Sequence, residues 1–544
     1  MSTRHWQASY GSIPRDIDPD AHRSVVELLD QAMKRFAGKP AFRCAGQTLT
    51  YADVDRLSRD FAAYLQGTLG VKKGDRIAVM TPNLLAFPIA FLGIARAGAV
   101  QVNVNPLYTA RELEHQLNDA GVETIVVYSG VSGTVADVIA KTRLKTVVTT
   151  GVGDGSGVQL PSPPVDARLT EAVGLATALA EGAALPFKAV DLSGDDLLFL
   201  QYTGGTTGVS KGAALTHRNL IANVEQYKAF VPGSLHPGEE VIVTAIPLYH
   251  IFALMVNFIT FSSIGVDNWL VPNPRDFDSF IDTMKQARPT VFMGVNTLYA
   301  GLVAHPKSKE VDWSRLRLAG GGGAAVIRAV SDKWLALTGT FIREGYGLSE
   351  TSPVVSFNPI SVQSFNGTTG LPLPSTDIKL LDDHDQEVGI GQPGEICVKG
   401  PQVMTGYWQQ PKANATAFTA DGYFRTGDIG IFDEKGFLKI VDRKKDMILV
   451  SGFNVFPNEI EEVATACAGV LECGCVGVPD EKSGEAVRLF VVKAADSNLV
   501  EEDVIAFCRK ELTGYKVPKS VRFVKALPKS TVGKILRREL RDLA

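Results

Sequence analysis

The apolar run Leu197-Leu198-Phe199-Leu200 leads directly into Tyr202-Thr203-Gly204-Gly205-Thr206-Thr207-Gly208-Val209-Ser210-Lys211-Gly212-Ala213. A strand that empties into glycines and hydroxyls constrains the fold more than any other stretch of the chain. A Cβ at Gly204, Gly205 or Gly208 would keep the backbone away from a bound group. Thr203, Thr206, Thr207 and Ser210 supply hydroxyl donors, and Lys211 supplies a mobile positive charge suited to a polyphosphate. The run is not a Walker loop, because no Gly-Lys-[Ser/Thr] follows a glycine at the required spacing. A flexible Gly/Ser/Thr linker would need neither a preceding buried strand nor so many threonines. The run is read as a loop that handles nucleotide phosphate.

A chain of 544 residues is too long for one core, so two to four domains are expected. With 45% hydrophobic and 21% charged residues it has ample material for globular folding. A formal net charge of -4 gives no electrostatic case for nucleic acid as a partner. The six cysteines, Cys44, Cys397, Cys467, Cys473, Cys475 and Cys508, show no metal-ligand spacing and read as small apolar filler in a reducing cytoplasm. Residues 1–20 mix Arg4, Arg15, Asp16 and Asp18 without an apolar core, so no secretory signal is expected.

Residues 241–266 contain no Asp, Glu, Lys or Arg, and the stretch is long enough on paper to cross a membrane. Pro247, Tyr249, His250, Asn257, Ser262 and Ser263 argue instead for a strand over 241–246, a turn, and a buried helix from about Phe252. That helix, with Phe252, Leu254, Met255, Phe258 and Phe261, is core or the lining of an apolar tunnel. Elsewhere strands at Arg76–Met80, 99–104, Thr124–Tyr128 and Thr146–Thr150 alternate with helices near 84–96 and 110–118. Such alternation predicts parallel sheets covered by helices on both faces. Over 367–406 glycines, prolines and short β runs predict a small antiparallel barrel or sheet, and after Asp442 a shorter α/β unit ends in the basic segment 516–541.

Three further motifs fit a nucleotide. Ala319-Gly320-Gly321-Gly322-Gly323-Ala324 offers a backbone wall for a flat base or a thin channel. Gly345-Tyr346-Gly347-Leu348-Ser349-Glu350-Thr351 offers a ring for stacking, a carboxylate for Mg²⁺ and a hydroxyl for phosphate. Gly422-Tyr423-Phe424-Arg425-Thr426-Gly427-Asp428 places an acceptor for vicinal ribose hydroxyls after a tight turn. Asp442-Arg443-Lys444-Lys445-Asp446 alternates charge as a solvated joint would.

Taken together, these motifs resemble the adenylate-forming superfamily of acyl-CoA synthetases, luciferases and peptide-synthetase adenylation domains over essentially the whole chain. The runs Pro247-Leu248-Tyr249-His250-Ile251-Phe252-Ala253-Leu254, Ile440 to Asn454, and Pro528 to Arg538 are similar to those of bacterial long-chain fatty-acid–CoA ligases. The resemblance implies an α/β fold: a large N-terminal domain (1–441) of two helix-covered sheets with a small β-barrel subdomain near 367–441, a hinge at 442–446, and a small mobile α+β lid (447–544). It implies Mg²⁺, ATP and coenzyme A as cofactor and co-substrates, and a medium- to long-chain fatty acid as partner. The reaction is activation to acyl-AMP with release of pyrophosphate, then transfer to coenzyme A with release of AMP, supplying β-oxidation.

Carried over by motif position, Thr203, Gly204, Gly205, Thr206, Thr207, Gly208 and Lys211 would hold the β- and γ-phosphates. Gly322, Gly323, Ala324, Tyr346 and Gly347 would flank adenine, and Glu350 would ligate Mg²⁺. Thr351 would meet the α-phosphate, and Asp428 the ribose, with Arg443 nearby. His250 would stand beside the carboxylate, and Lys534 would bridge carboxylate and α-phosphate. Lys445 would be the hinge, Gly452 would admit the pantetheine arm, and Phe252, Met255 and Gly323 would line the acyl tunnel. Lys444 departs from relatives that carry an apolar residue there. A ligase for another acid, aryl or short-chain, or one with a carrier-protein acceptor, is the alternative, and a non-catalytic lipid-binding protein a third. A cytoplasmic enzyme is expected. The basic tail serves either a peripheral contact with the membrane's inner face or the phosphates of coenzyme A, and a dimer is left open.

Overall fold

Four aromatic rings tie two large sheets into one body. Phe42 of the first sheet meets Phe258 at 5.1 Å between centroids, Phe258 meets Phe91 at 5.2 Å, and Phe91 stacks on Phe199 of the second sheet at 5.4 Å. All four are fully buried, and edge-to-face and stacked geometries add to the area they remove from water. The computed structural model describes residues 4–203, 210–231, 233, 235–451, 453–495, 497–530 and 533–543.

Among the described residues nine strands form the first sheet and eight the second. In the first, Pro40–Cys44, Asp267–Leu270, Val241–Thr244, Val291–Gly294, Leu318–Gly321 and Ile342–Gly347 are parallel neighbours. In the second, Leu197–Thr203, Val100–Asn103, Arg76–Met80, Thr124–Tyr128, Thr146–Thr150 and Val173–Gly174 are parallel. The expected parallel sheets are parallel through their centres and mixed at their edges. Gln47–Thr50, Val354–Phe357 and Leu371–Pro372 run antiparallel in the first, and Lys211–Thr216 and Gly406–Tyr407 in the second. Gln47–Thr50, Val354–Phe357 and Lys211–Thr216 follow their partners within a few residues, too few for the long crossover that a parallel neighbour requires.

Helix Ala86–Arg96 is buried along its whole length, packed against helix Tyr51–Gly67 in the shared core. Outer helices such as Ala110–Ala120 bury only one stripe, and its start is fixed by reciprocal bonds between Thr109 and Glu112. The uncharged stretch is strand Val241–Thr244, a turn, and a π-helix at Ala253–Thr260, all of it core. No helix among the described residues is long and apolar enough to cross a membrane.

The β-rich segment, read as a small antiparallel barrel or sheet and by resemblance as a barrel, is a four-stranded antiparallel sheet, ordered Asp377–Leu381, Gly394–Lys399, Phe424–Phe432, Leu438–Arg443. Among the described residues its first and last strands do not pair, so it stays open. Its last strand runs into a single 3₁₀ turn, Lys444–Asp446, and then into the C-terminal part. There, strands Phe453–Val455, Ile448–Val450, Gly484–Lys493, Val470–Asp480 and Ser520–Phe523 are covered by helices Pro457–Thr465 and Glu501–Glu511.

Close helix packing fixes one testable position. A Cβ at Gly182 in helix Leu175–Ala183 would stand 1.9 Å from the Asp60 carbonyl oxygen of helix Tyr51–Gly67. Gly182→Ala is expected to lower stability by about 1–3 kcal/mol, the usual cost of overpacking, measured by calorimetric unfolding. Wild-type melting would mean that these helices are not in backbone contact.

Candidate active site

Where the two parts meet lies a cavity of about 1140 Å³. The strand Leu197–Thr203 delivers Thr203 to its wall, and the antiparallel register places Lys211 opposite, so both ends of the phosphate loop face the same space. The Lys211 ammonium lies 5.2 Å from the centre of the Tyr407 ring. Gly204, Gly205, Thr206, Thr207 and Gly208 lie outside the described residues, as does Gly452.

The turn after Val241–Thr244 is clamped by buried Asn83. Its Nδ2 donates to the carbonyls of Thr244 and Ile246, both at 3.0 Å, and its Oδ1 accepts from the Leu248 N–H at 2.7 Å. Gln201 Nε2 holds the next carbonyl, that of Tyr249, at 3.1 Å. His250 thereby reaches the cavity, its Nδ1 accepting from the Phe252 N–H at 3.3 Å. Desolvation lowers the imidazole to about 4, so the ring is neutral at physiological pH with its other nitrogen protonated.

Tyr346 and Arg443 line the cavity and converge on Asp428, which is buried and does not itself line it. The Tyr346 hydroxyl donates to Asp428 Oδ2 at 2.7 Å, and Arg443 Nε pairs with Asp428 Oδ1 at 3.2 Å. The second contact follows from register, because Asp428 and Arg443 are cross-strand partners. Glu350 accepts from the Tyr407 hydroxyl at 2.8 Å, and burial raises its carboxyl. A desolvated carboxylate bonded to a neutral phenol suits a divalent cation, since Mg²⁺ commonly takes one or two carboxylates and completes its shell with phosphate and water. No group of three or more His, Cys, Asp or Glu poised for a metal occurs among the described residues.

Lys534 and Lys445 both line the cavity, and burial lowers each to about 8. Arg443 and Arg537 push Lys534 down further, while Asp428 and Asp446 pull the other way. Lys534 thus stands in the cavity with the nucleotide-facing residues although it is more than a hundred positions from Asp428. Lys445, expected as the joint, lies within the 3₁₀ turn and also on the wall.

The apolar branch of the cavity is lined by Tyr227, Phe252, Val256, Met293, Val354 and Phe357, with Gly320 to Gly323 along one side. Met255 does not reach it. Its sulfur accepts from Thr260 Oγ1 at 3.1 Å inside the core. The cause is the π-helix, whose wider turn brings Val256 rather than Met255 under Phe252. Thr351 is likewise off the wall: its hydroxyl accepts from the Leu348 N–H at 3.0 Å and donates to the Pro353 carbonyl. Ser349 lines the cavity instead. Gly347 closes this turn, because a Cβ there would stand 2.0 Å from the Pro353 carbonyl oxygen. Ala324 also lies away from the cavity wall, whereas Gly322 and Gly323 are on it.

Several wall residues were missed in the sequence. Ser349 sat inside a quoted motif and needed only the turn geometry. Tyr407 carried no local signal, since it arrives through the short edge strand that pairs it with Ala213. The basic tail is mostly spent internally: Lys516, Lys519, Lys529 and Arg541 pair with Glu459, Asp480, Glu472 and Asp446, and Arg522 donates to the Leu543 carbonyl.

A cleft half cationic and half apolar, shut by a small second part, defines a nucleotide-dependent enzyme. The chain belongs to the AMP-binding enzyme family, whose model matches residues 29–408, with the AMP-binding enzyme C-terminal domain matching 459–534. It is 50% identical over 551 residues to the long-chain-fatty-acid–CoA ligase of Escherichia coli O6:H1, covering 99% of this chain and 98% of that one. Among solved structures it is similar to ATP-bound MatB from Rhodopseudomonas palustris, with TM-score 0.82, 31% identity, and coverage of 95% and 98%. It is also similar to a Mycobacterium tuberculosis fatty acyl CoA synthetase, with TM-score 0.71, 28% identity, and coverage of 96% and 98%.

Asp428→Asn is expected to weaken AMP binding roughly ten- to a hundredfold, the loss of one charge-assisted bond at about 1.5–3 kcal/mol. Titration calorimetry checks this, and unchanged affinity would remove Asp428 from the nucleotide site.

Proposed function

We propose that the protein is an AMP-forming long-chain fatty-acid–CoA ligase. The single observation that carries this reading is one cavity lined both by a cluster of apolar side chains and by the cations Lys211, Arg443 and Lys534. Near-complete coverage of a long-chain-fatty-acid–CoA ligase at 50% identity supports it.

In the first step the fatty carboxylate attacks the α-phosphorus of ATP and pyrophosphate leaves. Thr203 and Lys211 face the β- and γ-phosphates, and Ser349 takes the α-phosphate contact first given to Thr351. Tyr346 and Gly322 flank adenine, and Asp428 accepts from the ribose hydroxyls. Glu350 would hold Mg²⁺, which neutralises phosphate charge when bound. Lys534 meets the charge developing between carboxylate and phosphorus, a preorganised contact typically worth about 3–4 kcal/mol. In the second step the thiol of coenzyme A attacks the acyl carbonyl and AMP leaves. Neutral His250 serves there as a hydrogen-bond donor beside the acyl group. The C-terminal part turns about Lys445 between the steps, so that one cleft serves two nucleophiles while shielding a labile mixed anhydride from water.

ATP and coenzyme A place the reaction in the cytoplasm, where its thioester would supply β-oxidation.

The test is coenzyme-A-dependent AMP release across saturated acids and a benzoate. Each methylene buried in the apolar branch contributes at most about 0.8 kcal/mol, so kcat/KM should climb steeply from short to long acids. Val256→Phe should move the preference toward shorter chains. It is a cleaner probe than Gly323→Trp, because Gly323 has a φ of 76° that itself penalises any side chain. Equal turnover of octanoate and palmitate, with benzoate better than either, would overturn the reading.

Membrane contact enters the proposal only as a weak electrostatic one, given how many tail cations are already paired. An unpaired cation contributes about 1 kcal/mol near an anionic surface. Sedimentation with anionic vesicles is expected to show slight binding that salt abolishes, and binding indifferent to salt and lipid charge would remove the electrostatic contact from the proposal.

A further inference from the structure

Two basic residues three positions apart on the cavity wall are used in opposite ways. Among the described residues, Lys534 has no carboxylate at ion-pair distance, and its ammonium faces the cavity at the cost of its hydration. The Arg537 guanidinium is fully engaged. Its Nε donates to Glu461 Oε1 at 3.2 Å, its Nη1 to Asp442 Oδ1 at 3.1 Å, and its Nη2 to Glu461 Oε2 at 2.9 Å and to Asn458 Oδ1. Asp446 stands 3.6 Å away. With every nitrogen taken and only 11% of the side chain exposed, Arg537 has little left to offer a substrate.

Its partners straddle the joint. Asp442 ends the large part's last sheet, while Asp446, Asn458 and Glu461 lie beyond it. The fully buried Asp442 carboxylate also accepts the Asn458 N–H at 2.7 Å, and Asn458 Nδ2 donates to the Val441 carbonyl at 3.1 Å. Between Lys534 and Arg537 the chain is stiff. The Lys534 N–H donates to Ser530 Oγ at 3.1 Å, the Ser530 N–H to the Lys534 carbonyl at 2.8 Å, and the Leu536 N–H to the Pro528 carbonyl at 2.9 Å. Leu540, one turn further, is buried.

We propose that Arg537 is a positioning residue for acid activation: by tying the Lys534 hairpin to Asp442 across the joint, it fixes where the Lys534 ammonium stands. This rests on the reading above, in which Lys534 serves adenylate formation. Stability alone is a poor reason for one arginine among three carboxylates, because buried ion pairs seldom outperform apolar packing. A rigid planar fork that aims several bonds at once is what arginine offers and lysine does not.

The test compares Arg537→Lys, Arg537→Gln, Asp442→Asn and Arg537→Gln/Asp442→Asn with wild type in the full chain, with Lys534→Ala as reference. Three readouts are taken: fatty-acid-dependent pyrophosphate exchange into ATP, thioester formation from supplied acyl-adenylate, and acetylation of Lys534 by acetic anhydride against pH. Exchange should fall roughly a hundredfold in each single variant, the scale of a misplacement of about 1 Å. The double variant should be little worse than either single one, as for residues acting as a unit. Thioester formation should stay within about threefold of wild type.

The groups facing Lys534 are Arg443, Arg537, Asp428 and Asp446, so removing the Arg537 charge leaves the two acids less opposed. In Arg537→Gln the pH at which Lys534 loses its proton should therefore rise, and the alkaline fall of the residual exchange should move up with it. Arg537→Lys should keep the wild-type pH profile and still lose exchange, separating position from charge. Unchanged exchange, equal loss of both steps, or an unmoved Lys534 profile in Arg537→Gln would overturn the proposal. If wild type exchanged pyrophosphate with no fatty acid, the functional reading would fall, and the acetylation profiles would still decide whether Arg537 places Lys534.

Discussion

Three separately built pieces of the chain meet at the Asp428 carboxylate. Tyr346 reaches it from the end of the nine-stranded sheet, and Arg443 from the neighbouring strand of the antiparallel sheet. The field of the same pair acts on Lys534 from the C-terminal part. A carboxylate with only 4% of its residue exposed must have partners, and its requirement helps to set the distance between these parts. The cleft exists because these parts are held at that spacing rather than packed flush.

Desolvation then determines what the cleft can do. Lys445 and Lys534 are both lowered to about 8, and burial raises the Glu350 carboxyl, so each group would gain from an opposite charge. A polyphosphate and a divalent cation supply those charges together. The apolar branch is different, since Phe252, Val256, Met293 and Phe357 ask only for surface to cover. One ligand end is thus selected by charge and the other by length, which is how an amphiphilic acid differs from a small polar one.

Much of this was legible in the sequence. The strands around Arg76–Met80 and Thr124–Tyr128 were marked by apolar runs, and the motifs around Lys211, Tyr346, Asp428 and Lys534 each proved to supply a wall or its support. What failed did so for local geometric reasons. Met255 was carried over from the resemblance as tunnel lining, and the π-helix brings Val256 to the cavity instead. Thr351 was carried over by motif position as the α-phosphate contact, but the turn that Gly347 permits points its hydroxyl at the Pro353 carbonyl. Tyr407 and the paired state of the basic tail depend on contacts between residues far apart in sequence, which no local pattern encodes.

The contrast between Lys534 and Arg537 shows how the fold divides charge between structure and chemistry. Both stand on the same hairpin and helix start, and both lose water to burial. The carboxylates around Arg537 raise its already high affinity for a proton, so it is permanently charged and permanently occupied. Lys534 is only partly compensated, by Asp428 and Asp446, and keeps its charge at a cost that an incoming anion removes. An ammonium with a full set of partners would bind phosphate weakly, because it would have to give those partners up. An ammonium left without them is already organised for the anion, and the stiff, ion-paired support beneath it keeps it from folding back to find substitutes.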